Sequence, residues 1–495
     1  MNNTKDLIAE AKKFYIKKSF FEAKACLLEV LKKSQLEKTL KISVYILISD
    51  VCYKINEFEN AEIYLLKYIE KDKSNPTVFN FLGNIYLKKR DYKNSEKFYL
   101  EAIRLNENNE SALVNLAILY HNLGKQKKAT SFYKKILSTN PKNIGVLYNL
   151  ASIDKSIIDE KKIKILKNII KEKKLNNFSM ASSYFLLAEN EKKKKNFDQE
   201  INLLSNANNF SFKNKENINI QSNEYWFNII SKKFDRIEYL QNKKILIKTK
   251  EIYPIFIVGL PRCGSTLIES IISSGKEKVE NLGETNLVNW AFLNTNRNIL
   301  RSSNEKQIVI NFDLTAKKLK DAIDNLNIIN KNKKIIFSEK SLENFYYIEL
   351  ILNIYPNAKF INPHRNLIDN IFAIYKQFLS NISWSHSLEN ILLYIDNYLS
   401  TIAHFKQKYN DKIFSISLEN FTENPKNSAM DIYKFCNLKW DEKCLEFYKR
   451  NDLFTNTASI NQIRTSVQKY DKTKYDPYKK MLNKYRDRFS WLNNN

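Results

Sequence analysis

The first part of the chain repeats its pattern of hydrophobic and polar positions with a period of about 34 residues. Residues 76–109 align with residues 110–143, and small or apolar residues occupy matching positions: Leu82 with Leu116, Gly83 with Ala117, Tyr86 with Tyr120, Ser95 with Ala129, Tyr99 with Tyr133, and Ala102 with Ile136. The pattern predicts two antiparallel helices per period, with small residues where the helices approach closely. One such hairpin cannot bury its apolar face alone, so the repeats predict a stacked solenoid.

The repeat continues on both sides of these two periods. Earlier copies are marked by small and apolar residues, namely Ala23, Ile48, Ser49, Ala61, Leu65 and Ile69. The pattern resembles the tetratricopeptide repeat over about residues 4–175, and residues 176–212 form one more, degenerate hairpin that caps the stack. We therefore predict an all-α solenoid domain at residues 1–212 and a connecting helical segment at residues 213–250.

The periodicity changes after residue 250, where short apolar runs alternate with helical stretches. The runs predict strands at 255–258, 334–340, 359–365 and 412–418. The stretches between and after them predict helices at 265–274, 342–354, 366–380, 388–409 and 425–437. Strands alternating with helices indicate an α/β domain at residues 251–495 with a mainly parallel sheet. Ligands of such sheets bind at the carboxyl ends of the strands.

The amino-acid composition excludes only a few classes of function. The formal net charge is +27, but the lysines are scattered over nearly every predicted helix, which favours a general attraction for anionic ligands over specific nucleic-acid binding. Five cysteines without a C-x-x-C pair and four separated histidines indicate a reduced, cytoplasmic protein without a metal site. The first residues show no secretory signal, and no apolar stretch is long enough to predict a membrane span.

The segment PIFIVGLPRCGSTLIESII, residues 254–272, has the form of a strand, a phosphate-binding loop and a helix. Ser265 stands where a Walker A loop has the lysine that contacts the phosphates of a nucleoside triphosphate. A kinase or triphosphatase is therefore a disfavoured alternative. Backbone N–H groups, the hydroxyls of Ser265 and Thr266, and the guanidinium of Arg262 suit a single terminal phosphate better.

Several ordered motifs resemble one enzyme family. They are PRCGSTLIESII, NLGET at 281–285, EKSLENFYYIELILNIYPNAKFINPHRN at 339–366, SLENFTENP at 417–425, FCNLKWDEKCLEFY at 435–448 and TASINQIRTSV at 457–467. Together they closely resemble sulfotransferases that use 3′-phosphoadenosine-5′-phosphosulfate (PAPS), above all bacterial enzymes with tetratricopeptide repeats and the related tyrosylprotein sulfotransferases. The resemblance covers about residues 252–480. It implies a P-loop-like α/β sulfotransferase domain that needs no metal.

The resemblance also implies residue roles. Donor binding is implied for Arg262, Cys263, Gly264, Ser265 and Thr266 in the loop, Arg365 on the 3′-phosphate, and Arg464 and Lys474 in a covering segment. Catalysis is implied for Glu284 as general base, and for Lys340 and Ser459 as groups that stabilise the leaving oxygen. The acceptor would be a hydroxyl or an amine, on a protein or peptide recruited by the concave face of the solenoid.

Two positions depart from the family pattern. Ala373 stands where the family has a serine on the 3′-phosphate, and Leu418 replaces a tyrosine near the adenosine. Weaker donor binding keeps a second hypothesis open, in which the chain is a repeat scaffold with a transferase domain that no longer turns over. Two plainer interpretations also remain: Glu284 as a helix cap and Lys340 as a solvated surface lysine.

Overall fold

The structure, a computed structural model, describes residues 2–33, 36–172, 175–240, 252–296, 308–324, 326, 334–450, 452–455, 457 and 459–493. The chain divides into two compact units. The first contains Met1–His121, Gln126–Thr139 and Lys320–Lys331. The second contains Asn122–Lys125, Asn140–Leu319 and Asn332–Asn495. No helix in the described part of the chain is both long and apolar enough to cross a membrane.

The first unit consists mainly of helical hairpins, as the 34-residue period predicts. Its helices are α1 (Asn2–Ile16), α2 (Phe20–Lys32), α3 (Lys38–Lys54), α4 (Phe58–Ile69), α5 (Pro76–Lys88), α6 (Tyr92–Leu105), α7 (Glu110–Asn122, with its last residue in the second unit) and α8 (Gln126–Thr139). Small residues lie where paired helices touch. A Cβ atom on Gly83 would collide with the ring of Tyr99, so this position must be small. The buried Ser49 and Ser95 hydroxyls donate to the carbonyls of Ala61 and Gly83, twelve residues away in each case.

The second unit begins with further helices of the repeat region. These are α9 (Ile144–Ile153), α10 (Glu160–Glu172), α11 (Asn177–Lys193) and α12 (Phe197–Lys213). The predicted hairpin at residues 176–212 is confirmed by α11 and α12. Aromatic residues of α9 and α11 pack on the α/β part of the same unit: the ring of Phe378 lies 5.2–5.4 Å from the rings of Tyr148, Phe178 and Phe185.

The predicted connecting segment is helical over most of its described length. It contains α13 (Glu216–Glu224), a π-helical turn (Tyr225–Ile230) and α14 (Ser231–Lys233). It ends in a strand that the helical prediction missed, β1 (Ile237–Leu240), which pairs in parallel with β4 (Ile308–Asn311). The β-branched Ile237 and the aromatic Tyr239 are residue types that favour a strand. Residues 241–250 lie outside the described part of the chain.

The main sheet has five parallel strands in the order β3-β5-β2-β6-β7. The strands are β2 (Ile252–Ile257), β3 (Glu280–Asn281), β5 (Ile335–Glu339), β6 (Lys359–His364) and β7 (Ile413–Ser417). The mainly parallel α/β fold and all four predicted strands are therefore confirmed. Phe256 on β2 is in register with Glu339 on β5, and Ile257 with Ile361 on β6. The carboxyl ends of these three strands consequently lie at one edge.

The α/β part also contains helices α15 (Ser265–Ile272), α16 (Leu287–Thr295), α17 (Phe312–Asp324), α18 (Ile348–Ile354), α19 (Leu367–Tyr375), α20 (Leu388–Lys408), α21 (Leu418–Glu423) and α22 (Pro425–Phe435). A buried core includes Ile255 and Ile257 of β2, Ile268 of α15 and Ile432 of α22. Burial of these apolar side chains holds α15, and with it the preceding loop, against the sheet.

Candidate active site

The loop between β2 and α15 is fixed by backbone contacts. The Val258 and Gly259 N–H groups donate to the carbonyls of Ile361 and Leu342, at 2.9 and 3.1 Å. Gly264 has φ +96°, and a Cβ atom there would lie 2.8 Å from the Leu418 side chain. Both the backbone conformation and the close approach require glycine. The loop thus delivers the chain to the N-terminus of α15, where unpaired N–H groups attract anions.

Arg262 projects from this loop with positive φ and reaches a distant segment. Its Nη1 donates to the Ser459 hydroxyl, and its Nη2 lies 3.5 Å from Gln462 Oε1. Its Nε is buried without a hydrogen-bond partner among the described residues. Burial lowers the pKa of Arg262, and the nearby charge of Arg365 lowers it further. The structure therefore brings together two predicted site residues, Arg262 and Ser459, from positions almost 200 residues apart.

Arg365 follows β6 and is held between aromatic rings. Its guanidinium lies 4.9 Å from the ring centroid of Tyr470 and 5.5 Å from that of Tyr475. Its Nε and Nη2 donate to the Tyr470 hydroxyl at 3.1 and 2.7 Å, and its Nη2 lies 3.7 Å from Asp369 Oδ2. Its Nη1 lies 3.4 Å from the Arg262 carbonyl oxygen, so Arg365 reaches the loop.

The two predicted basic residues of the C-terminal segment differ in their surroundings. The pKa of Lys474 is lowered by partial desolvation and by the charges of Arg365 and Arg262, which places Lys474 beside the other cations. Arg464 makes its hydrogen bonds elsewhere: it donates to the carbonyls of Arg450, Asn122 and Leu453 at 3.2, 3.1 and 2.8 Å. Arg464 thereby ties down the segment that carries Ser459.

Glu284 and Lys340 form an ion pair next to the loop. Lys340 Nζ donates to Glu284 Oε1 at 2.8 Å and lies 3.7 Å from Glu269 Oε2. Glu269 lies one helical turn beyond Ser265 on α15, so the pair lies beside the phosphate loop. Lys340 is fully buried, whereas the Glu284 side chain is 48% exposed. Lys340 is therefore not a solvated surface lysine.

The turn that carries Glu284 is anchored by a buried carboxylate for which the sequence predicted no role. Glu339, the last residue of β5, accepts hydrogen bonds from Thr285 and Ser341, through both their N–H groups and their hydroxyls, and from the Asn344 side chain. Asn286 is the N-cap residue of α16, which leaves Glu284 free of that role. Burial raises the pKa of Glu339. A polar residue ending an apolar strand was the only sequence signal for it.

Two further titratable groups lie at the site. Burial raises the pKa of the Cys263 thiol to about 11, so it stays neutral and does not act as a nucleophile at ordinary pH. Burial also raises the pKa of Glu343 to about 7, and the negative charges of Glu339 and Glu284 contribute. Glu343 was missed because a single glutamate in a helical pattern carries no signal of its own.

The parallel α/β sheet thus brings an anion-binding loop, two arginines and a lysine–carboxylate pair together at the strand ends, an arrangement that suits an anionic ligand. Among the described residues no cluster of side chains is suited to hold a metal ion. The loop also lacks the lysine of triphosphate-binding loops, because Ser265 occupies its position.

Comparison with known proteins identifies the class more closely. Residues 254–442 match the model of the sulfotransferase family, and residues 76–109 and 98–130 match models of the tetratricopeptide repeat. The chain therefore resembles tetratricopeptide repeats in its first part and the sulfotransferase family over residues 254–442. The predicted resemblance to repeat-containing sulfotransferases is confirmed at this level.

Individual relatives are distant. An uncharacterized protein of Aquifex aeolicus (strain VF5) is 25% identical over 351 residues, which cover 65% of this chain and 43% of that protein. The chain thus matches less than half of the length of this relative. The sulfotransferase domain of the Synechococcus PCC 7002 olefin synthase is 13% identical, with a TM-score of 0.33, and the match covers 44% of this chain and 84% of that one. A tetratricopeptide repeat protein from Parabacteroides merdae ATCC 43184 is 16% identical, with a TM-score of 0.33, and the match covers 45% of this chain and 89% of that one.

Proposed function

We propose that the chain is a sulfotransferase that moves a sulfuryl group from PAPS to a hydroxyl or amine acceptor. One observation carries the proposal: the buried Lys340 pairs with the half-exposed Glu284 immediately beside a phosphate loop without a Walker lysine. Such a loop suits a donor with a single 5′-phosphosulfate. The adjacent carboxylate suits the removal of a proton from the acceptor.

The charges around the loop support a donor with two anionic groups. Besides burial, the charge of Arg365 lowers the pKa of both Arg262 and Lys474, and the charge of Arg262 also lowers that of Lys474, so these three cations lie close together. Asp369 and Asp471 are the nearby carboxylates. Arg262 keeps a buried Nε donor without a partner in the described part of the chain. Arg262, the loop N–H groups, Ser265 and Thr266 would hold the 5′-phosphosulfate. Arg365 and Lys474 would hold the 3′-phosphate. The guanidinium group of Arg365 can donate two parallel hydrogen bonds to two oxygens of one phosphate, and the ammonium group of Lys474 adds a positive charge.

The bound donor would supply an activated sulfuryl group, and the chain would supply the charges around it. Glu284 takes the proton of the acceptor hydroxyl or amine. Lys340 stays protonated, because Glu284 and Glu269 raise its pKa although burial alone would lower it. Its ammonium group, with the Ser459 hydroxyl and Arg262, would stabilise the negative charge that develops on the leaving oxygen.

The proposal also includes a cellular location and a class of acceptor. All five cysteines are free thiols, which supports a reducing, cytoplasmic location. Tetratricopeptide repeats present stacked helical hairpins that suit protein or peptide binding. We therefore propose that the repeats recruit a protein or peptide that carries the acceptor group.

Donor binding provides the test of this proposal. We expect calorimetric titration to show that 3′-phosphoadenosine-5′-phosphate binds, and that ATP with Mg²⁺ binds at least about tenfold more weakly, because the loop has no lysine for the outer phosphates. Arg365→Met should weaken binding of the bisphosphate by roughly 10- to 100-fold, the usual effect of losing hydrogen bonds to a charged group. Arg488→Met, a surface arginine paired with Glu389, is the control. Equal binding of both nucleotides would contradict the proposal.

A further inference from the structure

Arg365, the residue proposed to hold the 3′-phosphate, lies in the turn between β6 and α19. Asp369 and Ala373 are four residues apart on α19, so they lie on one face of that helix. Ala373 is buried and has no polar side-chain atom. The family pattern places a serine at this position, so one ligand of the phosphate is missing from α19.

A hydroxyl reaches the same guanidinium from another segment. The Tyr470 Oη accepts hydrogen bonds from Arg365 Nη2 at 2.7 Å and Nε at 3.1 Å, and donates to Asp369 Oδ2. Tyr470 lines a cavity of about 440 Å³ together with Arg365, Lys472 and Lys479. The cavity therefore holds a phenol and three cations, a set of groups that suits a phosphate.

The carboxylates of this cavity are already partnered. Glu419 accepts hydrogen bonds from the Asn366 N–H at 2.8 Å and from the Ser417 hydroxyl at 3.1 Å. Asp369 accepts from Tyr470 and pairs with Arg365. Rotation of one phenolic O–H away from Asp369 would release a donor toward an incoming anion, while the oxygen keeps its place beside Arg365.

We propose that the Tyr470 hydroxyl takes the place of the missing serine and binds the 3′-phosphate of the nucleotide donor. The inference rests on the proposed function, because it assigns a ligand within the donor site. Tyr470 would donate its O–H to a phosphate oxygen, and Arg365 would bind the neighbouring oxygens. Lys472 and Lys479 add positive charge around the same cavity.

Removal of the hydroxyl alone tests this assignment in the full chain. We expect Tyr470→Phe to weaken binding of 3′-phosphoadenosine-5′-phosphate roughly tenfold, and to leave binding of adenosine 5′-monophosphate, which lacks the 3′-phosphate, unchanged within about twofold. The matched control is Tyr475→Phe. The Tyr475 ring also lies against Arg365, but in the described part of the chain its hydroxyl has no hydrogen bond to that guanidinium. We expect both nucleotides to bind this control as they bind the wild type.

A second variant separates a ligand from a merely structural residue. Tyr470→Phe combined with Ala373→Ser should recover most of the lost affinity, because it restores a hydroxyl on α19. Wild-type affinity of Tyr470→Phe, or equal weakening for both nucleotides, would overturn the inference. Absence of bisphosphate binding by the wild-type protein would overturn the proposed function itself, and this inference with it.

Discussion

Replacement of Glu284 by glutamine lowers the rate of sulfuryl transfer about 100- to 10,000-fold while donor affinity stays the same. This is the range expected when a general base is lost. Glutamine keeps the size of the side chain and an oxygen that accepts from Lys340 Nζ, now 2.8 Å from Glu284 Oε1. The turn is also held independently by the bonds of Thr285 to Glu339. The fold should therefore survive the change.

The measurement is the rate at which 3′-phosphoadenosine-5′-phosphate is released from PAPS, with acceptors drawn from a panel of phenols, alcohols, amines and peptides. Glu280→Gln is the matched control, since Glu280 lies four residues earlier and pairs with the exposed Lys278. We expect this control to stay within twofold of the wild type. A fully active Glu284→Gln protein would show that another group removes the proton. Weakened donor binding would show a structural role.

Replacement of Glu200 by alanine costs the second unit about 3–5 kcal/mol of unfolding free energy. Glu200 lies on α12 and is 1% exposed. Its carboxylate accepts from Lys376 Nζ at 2.8 Å and from the Tyr478 hydroxyl at 2.7 Å. Lys376 Nζ also lies 3.4 Å from the centroid of the Tyr478 ring. Removal of the carboxylate leaves a buried ammonium group without its counter-charge.

The pH dependence of this loss follows from Lys376. Burial lowers its pKa to about 8, although Glu200 acts in the opposite direction. Because a neutral amine needs no counter-charge, the destabilisation of Glu200→Ala should be smaller at pH 9 than at pH 7. Denaturant unfolding of the two proteins at both pH values measures the difference.

The control for this change lies on the same helix. Asp198 pairs with Lys480 at 2.7 Å, but the two side chains are 83% and 64% exposed. Exposed pairs of this kind contribute about 0–1 kcal/mol to stability, so Asp198→Ala should hardly change the free energy of unfolding. Similar losses for both variants would contradict the role given to burial. Glu200→Gln combined with Lys376→Met removes both charges and should recover much of the stability.

The sequence was most informative where the pattern is local. The helices of the first unit follow from a repeated spacing of small and apolar residues, and the close approach of Gly83 to Tyr99 shows why that spacing is required. Four of the five strands of the main sheet follow from short apolar runs bounded by turns, whereas β3, which is two polar residues long, was not predicted. Ser265, one position in the loop, was enough to disfavour a triphosphatase.

Contacts between residues that lie far apart in the sequence could not be predicted, for a physical reason. β1 and β4 are separated by about 70 residues, and a four-residue strand carries little signal until its partner is known. Tyr470 meets Arg365 from 105 positions away, so no local motif joins them. Arg464 matched a basic position of the family, but its side chain is engaged by three carbonyl groups that only the folded chain brings together.

The decisive measurement is transfer of radiolabelled sulfur from PAPS to an acceptor by residues 1–495, with the Glu284→Gln protein run in parallel. We expect label in the acceptor with the wild type, at least about 100-fold less label with the variant, and equal donor affinity for both. A wild-type protein that binds the donor but labels no member of the acceptor panel, and does not release 3′-phosphoadenosine-5′-phosphate, would contradict a transferase and leave a repeat scaffold with a nucleotide-binding domain.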